Sequence, residues 1–466
     1  MTKNFASQGE SGTPRTTASV SARWSWIKEI GLGVSARKSY WSLADRLIVS
    51  GTNFLTVVLV GRFCGMSDLG IFALAWTILL TINVVQEALV LSPYTVFLGR
   101  YESSSQRRAF AAVAMIHHFL IVGFAALTVL SVVLVGYLLS IWQIGGLPAS
   151  GIFPDYCRVG WFLLLAVPGF AFREFVRRYL FAQLHTGRVF VLDGVVAFIQ
   201  ILCLGLLLFY GSLSPSTALV AITFATTIPG ICWFVWYRAE FDFGHLENVR
   251  TAGIKHWKFG RWICAQQLSN LATTHGINWL VFLIVGTAAT GLFAACNSIV
   301  MVINPLLLGV GSVLLPRAAQ ANHQQGYREV NRIIWKTTAI LGTAVGAMCL
   351  IIAWNGEFLT SLFFSLKPLD NVRGIVILLA LANFISGISF AIDNGLMVVN
   401  RPDVNFVASM VGLVFATSFA IYLTITYGVI GAAQGVLIGA LVTTLFQVVA
   451  FVRLIGKPSV FERGSV

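Results

Sequence analysis

The stretch that decides the fold runs from Arg261 to Pro316 and reads RWICAQQLSNLATTHGINWLVFLIVG-TAAT-GLFAACNSIVMVINPLLLGVGSVLLP. It contains two apolar spans, 262–286 and 291–316, joined by the short uncharged segment 287–290. A helix needs about 20 apolar residues to cross roughly 30 Å of hydrocarbon, and each span exceeds that length. The stretch therefore predicts two consecutive membrane helices.

The first of these spans carries a polar stripe. Its members are Gln267, Asn270, Thr274 and Asn278, whose spacing places them on one face of a helix. An amide that faces lipid without a partner costs several kcal/mol, so the stripe is expected to face other helices or a water-filled cavity. Asn297 and Asn304 share a face of the second span and join the candidate cavity residues.

A related pattern occurs earlier in the chain. Asn53-Phe54-Leu55 and the apolar residues after it match the segment that begins at Asn278, which sets Ser50 against His275. The segment 70–73, Gly-Ile-Phe-Ala, matches 291–294, Gly-Leu-Phe-Ala. These matches predict an internal duplication, and they add Ser50 and Asn53 to the candidate cavity residues.

The composition is that of a polytopic membrane protein. Hydrophobic residues make up 57% of the chain and charged residues 11%, and the mean hydropathy is +0.83. The seven cysteines stand singly, without metal-ligand spacing, so neither a disulfide framework nor a metal site is expected. No phosphate-binding loop or catalytic motif is present, and the chain is expected to be neither an ATPase nor another enzyme, and to need no cofactor.

Twelve apolar spans follow one another, and most of the 31 basic residues lie in alternate connections. This distribution predicts that both termini are cytoplasmic, and it attributes the net charge of +13 to topology rather than to nucleic-acid binding. The predicted organisation is a disordered cytoplasmic tail (1–40), an N-terminal six-helix lobe (41–237), a cytoplasmic linker (238–261), a C-terminal six-helix lobe (262–455) and a cytoplasmic tail (456–466).

Charged residues inside the first two spans have two interpretations each. Arg46, beside Asp45, is either an interfacial snorkelling residue or a cationic group at the inner mouth of a cavity. Glu87 is either a buried carboxylate that carries a coupling proton or the partner of a basic residue such as Arg46.

Two further charged residues lie at corresponding depths of the two halves. Arg173 lies within the fourth span, whereas its neighbours Arg177 and Arg178 are interpreted as a positively charged cytoplasmic flank. Asp393 lies in the tenth span, and we expect it to neutralise this arginine cluster.

Several segments carry a family resemblance. Residues 61–72, GRFCGMSDLGIF, with their echo at 286–293 and the hydrophilic turns at 183–188 and 400–402, resemble the polysaccharide (oligosaccharidyl-lipid) flippase branch of the MOP exporter superfamily. The resemblance implies an all-α integral membrane protein of MATE-like fold with two pseudo-symmetric lobes. It also implies alternating access to a cavity for a polyprenyl-pyrophosphate oligosaccharide in the inner membrane.

Three functions are therefore considered. The first is a flippase for anionic lipid-linked oligosaccharide, in which Arg46, Arg173 and Arg261 supply positive potential and the polar stripe binds the sugars. The second is a multidrug exporter of the same superfamily, coupled to H⁺ or Na⁺, in which Glu87 and Asp393 are central. The third, a membrane-embedded glycan polymerase, requires a sizeable outer loop that this sequence lacks.

Overall fold

A computed structural model describes residues 34–142, 152–244, 249–365, 371–399 and 401–455. The predicted C-terminal tail and residues 1–33 of the predicted N-terminal tail lie outside these residues. Residues 34–40 were expected to belong to the disordered tail, but they form the first turns of a helix. Their sequence, VSARKSY, continues without a helix breaker into the first apolar span, so the helix extends beyond the hydrocarbon-length segment.

The described residues are almost entirely helical. The α-helices are α1 Val34–Phe63, α2 Met66–Gln86, α3 Ser92–Phe97, α4 Ser104–Trp142, α5 Ile152–Ala182, α6 Thr186–Phe209, α7 Pro215–Tyr237, α8 Val249–Thr274, α9 Gly276–Ile284, α10 Thr287–Val300, α11 Asn304–Gln325, α12 Tyr327–Trp354, α13 Gly356–Phe364, α14 Val372–Val398, α15 Pro402–Tyr427 and α16 Val429–Ile455. A π-helical turn, Glu87–Leu91, connects α2 to α3, and a 3₁₀ turn, Met301–Ile303, connects α10 to α11.

Within the described ranges, 11 helical segments are long and apolar enough to cross a membrane, which confirms the predicted all-α membrane fold. The expected seventh span is different, because the single helix predicted for 262–286 is broken at His275 into α8 and α9. Just before the break, the hydroxyl groups of Thr273 and Thr274 donate to carbonyls of their own helix, a bonding pattern that bends helices. Gly276, a poor helix former, follows directly.

The helices assemble into two lobes. In the N-terminal lobe α1 packs on α6, and α5 packs between α4 and α7. In the C-terminal lobe α14 packs between α12 and α16, and α16 also packs along α15. Buried apolar side chains fill both lobes, for example Val60 and Phe72 in the first and Phe293 and Val376 in the second. Many large apolar side chains are exposed, as expected for surfaces that face lipid.

The lobes meet through close backbone approaches. Near the predicted outer surface α2 crosses α10, where a Cβ atom on Gly70 would lie 2.1 Å from the carbonyl oxygen of Thr287. Toward the predicted cytoplasmic side, α8 crosses the π-helical turn, where a Cβ atom on Gly260 would lie 2.3 Å from the carbonyl oxygen of Ala88. Only glycine permits such contacts. The second crossing involves residues of the predicted linker 238–261, whose last part belongs to α8.

Candidate functional site

Each lobe contains a cavity about half-way along its helices. The cavity of the N-terminal lobe has a volume of about 200 Å³ and lies between α1, α2, α5, α6 and α7. The cavity of the C-terminal lobe has a volume of about 290 Å³ and lies between α8, α10, α11, α14, α15 and α16, with a lining residue from the 3₁₀ turn. We refer to them as the N cavity and the C cavity.

The two cavities are lined by equivalent positions of the repeat. In the first two membrane crossings of each lobe, every lining residue of the N cavity has a counterpart in the lining of the C cavity 221 residues later. Residue 49, for example, corresponds to residue 270. These pairs are Val49 with Asn270, Thr52 with Thr273, Asn53 with Thr274, Trp76 with Asn297, Leu80 with Met301, and Asn83 with Asn304. Asn53 therefore pairs with Thr274, one helical turn before Asn278, the partner expected from the sequence match.

The fourth crossings of the two lobes, α5 and α14, also correspond. Here the lining residues of the two cavities correspond at a separation of 216 residues, so that residue 177 corresponds to residue 393. The pairs are Phe170 with Ser386, Arg173 with Ser389, Glu174 with Phe390, and Arg177 with Asp393. At one pair of equivalent positions the two cavities thus differ in charge, with Arg177 in the N cavity where the C cavity has Asp393.

The charged side chains of the N cavity neutralise one another. Arg177 donates to Asp45 Oδ2 at 2.8 Å and to Asp193 Oδ2 at 2.7 Å. Arg173 donates to Asp193 and Glu174. Apart from Arg177, whose side chain is 15% exposed, these side chains are less than 10% exposed, so they form one buried ion network. Within it Arg173 is bound by carboxylates and is not a free cation.

A second group of charges lies beside this network. Glu87, in the π-helical turn, accepts from Arg178, so its partner is Arg178 rather than Arg46. Arg46 is half-buried, and its charged neighbours are Arg177, Arg178, Asp45 and Glu87. No ion pair within 4.0 Å joins Arg46 to a carboxylate of the described residues.

The C cavity holds one carboxylate among neutral groups. Asp393 Oδ1 accepts a hydrogen bond from Gln447 Nε2 at 3.3 Å, and its backbone carbonyl accepts one from Asn405 Nδ2 at 3.0 Å. Gln447 also accepts from Ser389. The residues that line this cavity include no arginine, lysine or histidine.

This arrangement corrects one expectation about Asp393. Asp393 was expected to neutralise the arginine cluster of α5, but its polar partners belong to the C-terminal lobe. The two groups lie in different lobes, and the arginines are instead neutralised by Asp45, Glu174 and Asp193.

The structure brings together part of the predicted cavity set. Asn270, Thr274, Asn297, Asn304 and Asp393 line the C cavity. Asn53 and Arg173 line the N cavity.

The other predicted cavity residues lie outside the two cavity linings. Ser50 and Gln267 are half-buried, and Arg261 is exposed, with its guanidinium over the ring of Trp262. Asn278 is 4% exposed and lies on α9, because the break at His275 interrupts the predicted stripe.

Sequence reasoning missed two residues of these cavities. Asp193 connects both arginines of the N cavity, and Gln447 bridges Asp393 and Ser389 in the C cavity. Each is a polar residue inside an apolar span, which was the available signal. Over the described ranges no group of three or more His, Cys, Asp or Glu side chains forms a potential metal site.

No protein-family model matches the sequence, and no curated protein matches it. Solved structures do match over nearly the whole chain. One is a multidrug resistance MATE family transporter of the MOP superfamily in an inward-facing conformation. It is 14% identical to this chain with a TM-score of 0.70, and the match covers 95% of this chain and 99% of the transporter chain. The chain has the fold of MATE transporters.

Two further structures support the assignment of the fold. A MOP superfamily transporter from Pyrococcus furiosus, described as having a binding pocket of reverse polarity, is 13% identical with a TM-score of 0.69, and the match covers 92% of this chain and 96% of its own. A eukaryotic MATE transporter is 15% identical with a TM-score of 0.66, and the match covers 90% of this chain and 95% of its own. The two-lobed MATE-like architecture expected from the sequence is therefore confirmed.

Proposed function

We propose that the protein is a secondary transporter that works by alternating access and is coupled to a cation, H⁺ or Na⁺. The observation that carries this proposal is the carboxylate of Asp393, which lies in the C cavity among amides and hydroxyls without a basic side chain in the lining. A carboxylate inside the membrane is costly unless it binds a proton or a cation. Alternate binding and release of that cation is a means of driving transport.

The backbone around the C cavity supports this function. Two helix interruptions flank the cavity, the break at His275 and the 3₁₀ turn Met301–Ile303. Interrupted helices commonly form the ion and substrate sites of transporters. Thr274, which directly precedes His275, and Met301, the first residue of the 3₁₀ turn, both line the cavity.

The charge of the cavities favours a cationic or neutral polar substrate. Arg173 and Arg177 are paired with carboxylates, and Arg261 lies outside both cavities, so none of the three supplies free positive potential for a pyrophosphate. Asp393 adds to the C cavity a carboxyl group that has no basic side chain beside it in the lining. Because the most similar folds include multidrug resistance transporters, we propose export of organic cations across the inner membrane, with both termini in the cytoplasm.

The test is transport by purified protein in proteoliposomes. A fluorescent monovalent organic cation is followed under an imposed pH or Na⁺ gradient, for the parent and for Asp393→Asn. Gradient-driven transport should be lost in this variant and retained in Asp403→Asn, whose carboxylate is 60% exposed outside the cavity. Equal transport by Asp393→Asn and the parent would overturn the proposed coupling site.

A second candidate function is flipping of lipid-linked oligosaccharide. It is favoured by Arg46, which has no carboxylate partner among the described residues, and by the amides and hydroxyls of the C cavity, which suit sugar hydroxyls. In liposomes that contain a fluorescent polyprenyl-pyrophosphate glycan, flipping by the parent and its loss in Arg46→Ala would favour this function. Transport of the organic cation with no flipping would exclude it.

A further inference from the structure

The first half of α8, residues 249–260, is docked on the N-terminal lobe, and we name this contact the α8 joint. His117 Nε2 of α4 lies 3.0 Å from the carbonyl oxygen of Val249, at the start of α8. At the other end of the joint Gly260 lies against the carbonyl oxygen of Ala88. The second half of α8 belongs to the C-terminal lobe, where the Ser269 hydroxyl lies 2.9 Å from Met410 Sδ of α15. One helix therefore connects the two lobes.

A buried histidine occupies the centre of this joint. His256 of α8 is 3% exposed, and among the described residues neither nitrogen of its ring has a hydrogen-bond partner. Its ring centroid lies 5.7 Å from that of Phe110, 6.4 Å from that of Phe97 and 5.1 Å from that of His117. A neutral imidazole is accommodated in this aromatic box, but an imidazolium would add two N–H donors and a positive charge without partners.

Among the residues that the structure describes, the groups around His256 offer no compensation for such a charge. From α4 it is faced by a second histidine, His117, which would carry the same sign of charge. The tyrosines near the box, Tyr94 and Tyr101, stack on Phe110. Glu87 of the π-helical turn is paired with Arg178, and the charged neighbours of His256 on α8, Lys255 and Lys258, are exposed cations.

Protonation of His256 is consequently linked to undocking. Burial lowers the pKa of His256 to about 4, and the neighbouring His117 lowers it further in the same direction. Once α8 leaves the lobe, the imidazole is hydrated and its pKa returns to about 6.5. The undocked state then binds the proton more tightly, so docking is fully favoured above pH 6.5 and weakens as the pH falls toward 4.

We propose that the α8 joint is a pH-sensitive latch between the two lobes, released when His256 becomes protonated from the predicted cytoplasmic side. Release frees the N-terminal lobe from the helix that carries Ser269 and Asn270 of the C-terminal lobe. Any rocking of the lobes that separates them at this side must break the same joint. The latch is independent of the substrate and of the coupling site at Asp393.

The test measures the joint directly by hydrogen–deuterium exchange of the full-length protein in lipid nanodiscs between pH 7 and pH 5. After correction for the pH dependence of intrinsic exchange, opening of residues 249–260 should increase about 20-fold, which follows from a histidine pKa of about 4 in the docked state and about 6.5 when hydrated. His256→Phe, which fills the box with a neutral ring, should keep these residues protected at pH 5.

His118→Phe provides the matched control. His118 is also fully buried without hydrogen-bond partners, but its ring packs on Phe172 and Phe175 of α5, away from the joint. This variant should retain the pH response of residues 249–260. Unchanged protection of the parent at pH 5, or acid-induced opening that persists in His256→Phe, would overturn the latch. Loss of the response in His118→Phe alone would assign it to general acid loosening of the lobe and equally reject the latch.

Discussion

Gly70 of α2 and Gly291 of α10 face each other in a reciprocal contact at the crossing of the two lobes. A Cβ atom on Gly70 would lie 2.1 Å from the carbonyl oxygen of Thr287, and one on Gly291 would lie 1.8 Å from that of Met66. Met66 and Gly70 occupy the same positions of the repeat as Thr287 and Gly291, so each contact is the counterpart of the other. This is expected where a pseudo-two-fold axis passes between the helices. The residues matched by sequence thus touch each other in the structure.

The first prediction concerns this crossing. The hydroxyl oxygens of Ser67 and Thr287 lie 2.8 Å apart, so cysteines at both positions should form a disulfide, identified by mass spectrometry of the linked peptides. Adding Gly70→Val forces the backbones apart at a cost of about 1–3 kcal/mol, which lowers the ratio of molecules with this crossing closed to those with it open about 5- to 150-fold. The yield of disulfide should fall accordingly. Gly51→Val, at a helical glycine with no atom within 4 Å of the added Cβ, should not lower it.

The second prediction concerns access to the C cavity. Cysteines placed at Asn270, Thr274 and Asn297, which line the cavity, should react with a small hydrophilic thiol reagent in membranes. A cysteine at Asn278, which is 4% exposed on α9, should react far more slowly. Equal reactivity at all four positions would support the continuous polar stripe expected from the sequence and would contradict the break at His275.

The third prediction compares two asparagines of the former stripe. Asn278 is buried and its Oδ1 atom has no hydrogen-bond partner within the described ranges, so Asn278→Leu should change stability by less than about 1 kcal/mol or increase it. Asn270→Leu should preserve folding but depress transport per folded molecule, because Asn270 faces the C cavity. Thermal unfolding and transport assays on the same preparations separate the two effects. Normal transport by Asn270→Leu would contradict its assignment to the cavity.

The fourth prediction concerns the ion network of the N cavity. Arg177→Met leaves Asp45 and Asp193 buried without this partner, and the loss of one partner from a buried pair typically costs about 3–5 kcal/mol. The unfolding midpoint should fall markedly. Arg401→Met removes an arginine of a largely exposed pair with Asp403, for which about 0–1 kcal/mol is expected. A similar small effect of both substitutions would show that the N cavity is hydrated and its charges screened.

Composition and span pattern do not specify the partners of the charged residues in these cavities, and Asp193 illustrates why. Its position inside an apolar span marks it as unusual in the sequence, but its partners Arg173 and Arg177 are separated from it by 20 and 16 residues, on another helix. A sequence pattern specifies which face of one helix is polar. It does not specify which other helix that face meets.

The sequence by itself determined the membrane class and the apolar spans, because hydrocarbon imposes span length and polarity locally on each segment. It also indicated the duplication, because segments such as 70–73 and 291–294 match residue by residue. Only the tertiary structure decided that Arg177, which is paired with carboxylates in the N cavity, stands in the position that Asp393 occupies in the C cavity. It also decided that the stripe ends at His275, where α8 ends just before Gly276, in a segment that hydropathy alone describes as continuous. Partner choice and helix breaks depend on competing contacts, which a single segment does not contain.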